Sequence, residues 1–371
     1  MYIKIITTDD EFDKVRNEWI NFENQVNNPN INASYIWQRT WWKHFKNYEE
    51  DNFGYNKKLC ILFLYDKGDM LRAIAPFCEV TRKTKGVEYR TIEFITQQWG
   101  ATYLDVISNK LGKEEYDFIF NWLKKNRKYD LIELRYIPEF SPNFNLYKSN
   151  ITVLSACPEI KIKDYKEVKY YIQREYSNSL KKNLQTARNR MKRENINYRE
   201  EIIDVINNAN FKEIENISRA KLKDNKSCIY NNSVKKKFLT DIYCNSKLPS
   251  NVIKIILNDK LASYRINFLY RKCKYCFDAS YNRAYRHYDL GAFSVNLNIR
   301  DSFEKGILTH CMGPGIDFYK LKFTKRIVKI YTFLKRGNSL KGKLIYIIKR
   351  IKNKKTENKF FNELKINLHR N

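Results

Sequence analysis

No apolar run in this 371-residue chain approaches the ~18 residues that a membrane-spanning helix needs. The opening segment, Met1 to Glu11, turns acidic at once and lacks a signal-peptide pattern, so a cytoplasmic protein is expected. Metal-ligand spacing is missing too. Of eight cysteines only Cys273 and Cys276 lie close together, and no second Cys or His pair accompanies them, which argues against a metal site. The rest are scattered, as suits a reducing compartment. Acids are short as well: 41 Asp and Glu face 70 Lys and Arg, for a net charge of +29 and a pI of 9.6.

What is present is a globular composition. Hydrophobic residues make up 43% and aromatics 15%, enough to bury a sizeable core, and the length favours two domains. The basic balance favours anionic partners. Because the chain is rich in Lys, Asn and Ile throughout, the charge speaks more for an anionic ligand or membrane surface than for nucleic acid.

Periodicity divides the chain. Residues 9–26 read as a helix with Phe12, Val15, Trp19 and Phe22 on one face, and residues 34–45 as a second, aromatic helix. Strands follow at 58–65 and 70–77, around the turn Asp66-Lys-Gly-Asp69, and again at 91–95, 103–107 and 131–136, with a helix at 114–125. The Pro- and Asn-bearing loop 138–150 reads as the linker, giving a first domain over 1–150. A second domain over 151–325 opens with a basic helix striped by Leu180, Leu184, Ala187 and Met191 and capped by Ser177 or Ser179. Helices at 210–223 and 234–245 follow, then strands at 252–257, 261–270 and 275–279. A further helix carries Val295, Ile299, Phe303 and Ile307. The hairpin at 58–77 echoes that at 252–270, which suggests a duplication. The fold class is α/β, with mixed sheets.

Chemistry gathers near residue 310. Gly313 and Gly315 bracket Pro314, so the backbone turns there and can approach a ligand. Residues 318–323 alternate as a half-buried strand does, and Tyr319-Lys320 is a plausible pair to hold an anionic or carbonyl-bearing group. Gly291, followed by Ala292, stands where a ligand can meet the first free amides of a helix, whose dipole favours phosphate. Each feature has a plain structural counterpart: His310 filling a strand, Tyr319 a core aromatic, Lys320 surface charge, Gly291 an ordinary cap.

In order along the chain, four passages carry a family likeness. These are the aromatic helix Trp37 to Phe45, the strand Leu71-Arg-Ala-Ile-Ala-Pro-Phe77, the basic helix Ser179 to Met191, and the closing Gly313-x-Gly315-x-Asp317-x-Tyr319-Lys320. Together they resemble the FemAB-like branch of the GNAT acyltransferase superfamily, of the cellulose-biosynthesis or BioF2-like acetyltransferase type. The resemblance implies tandem GNAT-like domains and transfer of an acyl group to an amine, such as an amino sugar or cell-envelope precursor. It implies His310 as base, Tyr319 and Lys320 as charge-stabilising groups, and Asp105 as a group orienting the amine. Gly291, Ala292, Gly313 and Gly315 would lie against the donor, and Asp317, Trp37 and Trp41 against the substrate. Cys311 stands where the family usually has Asp, and the basic glycine-rich donor loop is reduced to Gly291. Acetyl-CoA, another acyl-CoA and aminoacyl-tRNA are all donors in the wider family. A third reading is a non-catalytic relative that binds RNA or lipid.

Residues 326–371 form a basic tail in which apolar and cationic residues alternate in helical blocks. Such a tail suits either an anionic membrane surface or packing on the second domain.

Overall fold

The computed structural model describes residues 1–26, 30–51, 53–84, 86–219, 228–246 and 248–369. In chain order its elements are β1 (Tyr2–Ile6), α1 (Asp9–Lys14), α2 (Arg16–Gln25), α3 (Tyr35–Phe45), β2 (Tyr55–Tyr65), β3 (Leu71–Thr84), β4 (Val87–Phe94), α4 (Lys113–Asn126), β5 (Leu131–Pro138), α5 (Phe144–Tyr147) and β6 (Ile151–Lys161). Then come α6 (Val168–Glu175), α7 (Asn178–Arg193), β7 (Tyr198–Ile203), α8 (Asn208–Arg219), α9 (Ser233–Thr240), β8 (Ser250–Leu257), β9 (Lys260–Tyr270) and β10 (Cys273–Tyr281). The last are α10 (Leu290–Glu304), β11 (Thr309–Cys311), α11 (Phe318–Leu321), β12 (Ile327–Arg336) and α12 (Leu340–His369). The fold is α/β with mixed sheets, as the composition and periodicity predict.

The chain divides into two compact units. The first holds Met1–Ala156 and Val328–Glu363, the second Cys157–Ile327 and Leu364–Asn371. In the first, strands lie in the order β1-β2-β3-β4-β5-β12. All neighbours are antiparallel except β4 and β5. In the second the order is β7-β8-β9-β10-β11-β6, antiparallel except for β10 and β11. Each unit therefore has a four-strand antiparallel run, then one parallel pair, then a returning antiparallel strand. In each, a helix joins the parallel pair: α4 in the first, α10 in the second. The hairpins β2–β3 and β8–β9 hold equivalent places, as the sequence echo suggests.

Local rules explain the helices that the sequence places. Ser34 caps α3 by accepting from the Trp37 amide, and Ser177 caps α7 by accepting from the Leu180 amide. The α7 stripe buries Leu180, Ala187 and Met191, with Ala187 and Met191 packed on Ile255 and Leu257 of β8.

Three segments depart from their sequence pattern. Residues 103–107 make no extended strand; Ile107 forms one isolated bridge to Ile74. Residues 318–323, expected as a strand, begin with the short helix α11. The tail opens as a strand: β12 alternates from Ile327 to Thr332, then buries Phe333 and Leu334 in succession past a register shift, and pairs along β5. The end of the expected helix at 210–223 lies outside the described residues. Among those described, no helix is long and apolar enough to cross a membrane.

Candidate functional site

In the second unit, β10 and β11 run parallel for three pairs: Cys273 with Thr309, Lys274 with His310, and Tyr275 with Cys311. There they part. The Met312 amide turns to the Pro158 carbonyl, while β10 continues beside β9 to Tyr281. A bulge falls at the parting point, between Cys276 and Asp278, and bulges re-aim side chains where pairing ends. Phe277, Asp278 and Ala279 are only half-buried there, whereas Lys274, Tyr275 and Cys276 before them are buried. The geometry is a wedge between β10 and β11.

The Gly-Pro-Gly turn closes the wedge on the β11 side. Gly313 has φ +79°, and a Cβ on it would lie 3.1 Å from the Cys276 carbonyl oxygen; Gly315 has φ +99°. Both positions demand glycine. Lys320 is 6% exposed, and its ammonium donates to the carbonyls of Gly313 (3.3 Å), Pro314 (2.8 Å) and Gly315 (3.2 Å). Asp317 completes the set at 3.2 Å. The sequence reading gave Lys320 to the reacting groups; the structure makes it the brace of this turn. Tyr319 beside it is 45% exposed.

His310 sits below the wedge, fully buried in a polar chain. Asn251 donates to Asp301 (2.9 Å), Asn267 donates to Asn251 (2.9 Å), and Asn267 and Asn298 exchange two amide bonds (3.0 and 2.8 Å). Ser302 Oγ donates to the Asn298 carbonyl (2.9 Å) and lies 3.0 Å from His310 Nδ1. The lone hydroxyl proton of Ser302 is thus engaged, so Nδ1 carries the imidazole proton and Nε2 is bare. Nε2 faces the Cys276 thiol (3.2 Å) and the Asn298 amide (3.3 Å). Burial, with the Lys274 and Arg265 charges adding to it, holds the His310 pKa well below the usual imidazole range. As a buried neutral group with both nitrogens engaged, His310 supports the strand pair and is not exposed to take a proton from a substrate. Lys274 pairs with Asp301, and Lys305 adds a 3.1 Å contact. Burial pushes the Asp301 carboxyl up, but the two lysines outweigh it and hold it below its ordinary value.

Two charged groups near the parting point escaped the sequence reading, and the β9–β10 register, which pairs Arg265 with Ala279 and Asp278 with Ile266, sets them on opposite faces of the sheet. Arg265 is 6% exposed, and its Nε has no hydrogen-bond partner. Its guanidinium faces the Cys276 thiol, and among the described residues no carboxylate pairs with it. A buried cation without a counter-charge is costly unless something anionic or strongly polar joins it. Asp278, half-buried at the bulge, accepts from the hydroxyls of Tyr264 (2.6 Å) and Tyr230 (2.9 Å). The signal for both was weak: alternation along 261–270 places Arg265 on an inward face, where a charge is out of place.

The N-terminus of α10 stands at the end of the excursion that follows β10. Gly291 lies inside the first turn, and a Cβ there would meet open space. Neither backbone nor packing demands glycine, so its effect is to leave room before Ala292 and the helix amides. Asp289 precedes the helix with φ +53° and makes no side-chain cap. Burial raises its carboxyl above the ordinary value, against the pull of Lys322.

The remaining candidates lie in the first unit. Trp37 and Trp41 are wholly buried, and the Trp41 indole donates to the Trp99 carbonyl at 3.1 Å; both are core residues with no surface to offer a substrate. Asp105 is 3% exposed and accepts from the Val106 amide (2.8 Å), Tyr147 hydroxyl (3.1 Å) and Ser141 hydroxyl. Burial pushes its carboxyl up to about 6, against those bonds. Asp105 orders a buried loop. Among the described residues, no group of three His, Cys, Asp or Glu could hold a metal ion.

No family model and no curated protein matches the chain. Solved structures do. FemX is similar with a TM-score of 0.57 at 9% identity, over 91% of this chain and 96% of that one. The C-terminal DUF2156 domain of a protein described as a lysylphosphatidylglycerol synthetase, from Agrobacterium fabrum, gives 0.52 at 10% identity, over 90% and 96%. A conserved protein of unknown function from Bacteroides thetaiotaomicron gives 0.52 at 11% identity, over 90% and 100%. At these identities the likeness is one of fold. The α/β fold with mixed sheets expected from the sequence is the one these structures share.

Proposed function

We propose that the chain is an acyltransferase that moves an acyl group from an acyl-CoA to an amine, with the wedge of the second unit as the reaction site. The observation that carries this reading is the parting of β10 and β11 beside the open first turn of α10, in a fold shared with FemX. A helix N-terminus at the parting point favours the phosphates of a CoA thioester. The amine nitrogen attacks the acyl carbon, forming the C–N bond, and the carbonyl oxygen takes up negative charge, which backbone amides at the parted strands can meet. Asp278 accepts the proton lost from nitrogen. Collapse breaks the C–S bond, and the leaving thiolate takes the proton held by Asp278, so the thiol departs and the carboxylate is restored. An amino sugar or cell-envelope precursor is the acceptor class that fits the sequence resemblance.

A second reading keeps the wedge and takes aminoacyl-tRNA as donor, as in FemAB-type transfer. Asp289 favours it, because a carboxylate at the mouth of α10 opposes a pyrophosphate, and so does the net charge of +29. Thermal unfolding with acetyl-CoA, free CoA and charged tRNA separates the two. A donor at ~100 times its dissociation constant adds roughly 2.7 kcal/mol. A shift with acetyl-CoA supports the first reading, and a shift with charged tRNA alone supports the second. No shift with any donor rejects both.

A further inference from the structure

The amino-terminal half of α12, in the first unit, is held firmly with an apolar stripe facing outward. Ile345 packs with Tyr89, Leu131 and Leu334, and Lys349 pairs with Glu133 at 2.7 Å. Gly337 and Gly342 let the start of the helix press against the Asp130 carbonyl, where a Cβ would come within 2.9 and 2.4 Å. Ser339 and Lys341 bind the Asp130 carboxylate at 2.7 and 3.2 Å. This anchorage fixes which face looks out. Leu340, Leu344, Ile347 and Ile351 are 81%, 55%, 54% and 55% exposed. Their spacing of four, three and four residues puts them on one side.

Cations surround the stripe. From Leu340 to Thr356 the chain has seven lysines and arginines and no acid. Next to the helix lies a hollow of about 690 Å³, lined by Phe120, Lys124, Lys335, Arg336, Lys343 and Ile347 among others, with no carboxylate in its wall. Lys335 is set over the Phe120 and Tyr116 rings at 4.6 and 5.7 Å, and burial lowers its pKa. Among the described residues, no ion pair ties down Lys124, Arg336 or Lys343.

We propose that this face docks on an anionic phospholipid bilayer, the four aliphatic side chains entering the acyl boundary and the hollow taking a lipid phosphate. Charge complementarity selects the occupant. Nucleic acid would match the cations but not a stripe of leucine and isoleucine, which offers no stacking surface. An interfacial helix needs both features on one side, and this one has them. The inference does not depend on the proposed reaction.

Sedimentation of the full chain with vesicles tests it. Phosphatidylcholine vesicles containing phosphatidylglycerol should carry the protein down, and pure phosphatidylcholine should not. Each of Lys124→Gln, Arg336→Gln and Lys343→Gln should cost about fivefold in affinity, while Leu344→Asp combined with Ile347→Asp should abolish binding, with the melting temperature kept. Equal loss of vesicle binding with inorganic phosphate at millimolar level would reassign the hollow to free phosphate. Failure to bind anionic vesicles would overturn the proposal, as would undiminished binding by the double aspartate variant or preferential binding of a homopolymer RNA.

Discussion

His310 Nδ1 donates to Ser302 Oγ across 3.0 Å, and the hydroxyl passes its own proton to the Asn298 carbonyl, so one serine sets the tautomer of a fully buried imidazole. The consequence is a histidine that stays neutral. Its folded pKa lies below the unfolded value, so the unfolded chain binds more protons as pH falls through about 6.5, and stability contributed by His310 is lost in acid. In an NMR titration its Cε1 proton should stay at the neutral position while that range is crossed. Ser302→Ala should cost about 1–3 kcal/mol by stranding Nδ1, read as a fall in the denaturation midpoint.

Asp105 has the opposite sign. Its carboxyl binds a proton near pH 6 when folded and near 3.8 when unfolded. Between those values the folded form holds more protons, so its burial costs stability as pH rises, on the order of 3 kcal/mol in full. Asp105→Asn keeps the shape and removes the titration. Its stability relative to the parent should therefore climb from pH 4 to pH 7; a flat difference across that window would refute the assignment.

Lys320→Met tests the brace against a catalytic role. Three carbonyls would lose their shared donor, and stability should drop by about 1–3 kcal/mol. A variant that melts like the parent yet turns over poorly would mean that the ammonium serves the reaction instead. Gly315→Ala, at φ +99°, should cost about 1–2 kcal/mol on backbone grounds.

Asp278→Asn removes the proposed proton acceptor and leaves the tyrosine hydroxyls an amide oxygen to bind. Turnover with the acyl donor identified by thermal shift should fall by about 10²–10⁴, with little change in melting temperature. Tyr264→Phe should have the smaller effect, since Tyr230 still orients the carboxylate.

Much of the architecture was legible because strand and helix periods are local. The hairpins at β2–β3 and β8–β9, the cap at Ser177 and the stripe of α7 follow from spacing alone. Residues 318–323 misled because an alternating hexapeptide is compatible with one helical turn, and Lys320 reaching back to the Gly-Pro-Gly carbonyls decides for the turn. β12 misled for the reverse reason: apolar and basic residues mix there as in the helix that follows, and only its pairing with β5 fixes it as a strand. The site was legible in part. The glycine turn could be read from sequence, whereas Asp278 acquires meaning only when β10 parts from β11 beside it. Trp37, Trp41 and Asp105 came from the family resemblance, which carries no information on burial, and all three are buried.

The strand that closes the first sheet, β12, comes from nearly two hundred residues downstream of β5, its partner. During synthesis, the hydrogen-bonding edge of β5 must therefore wait until the whole second unit has emerged from the ribosome. The portion made first is the last to be completed, and for that interval the chain carries an open sheet edge, the kind of surface that recruits chaperones or aggregates. A chain ending before residue 327 would keep that edge open permanently.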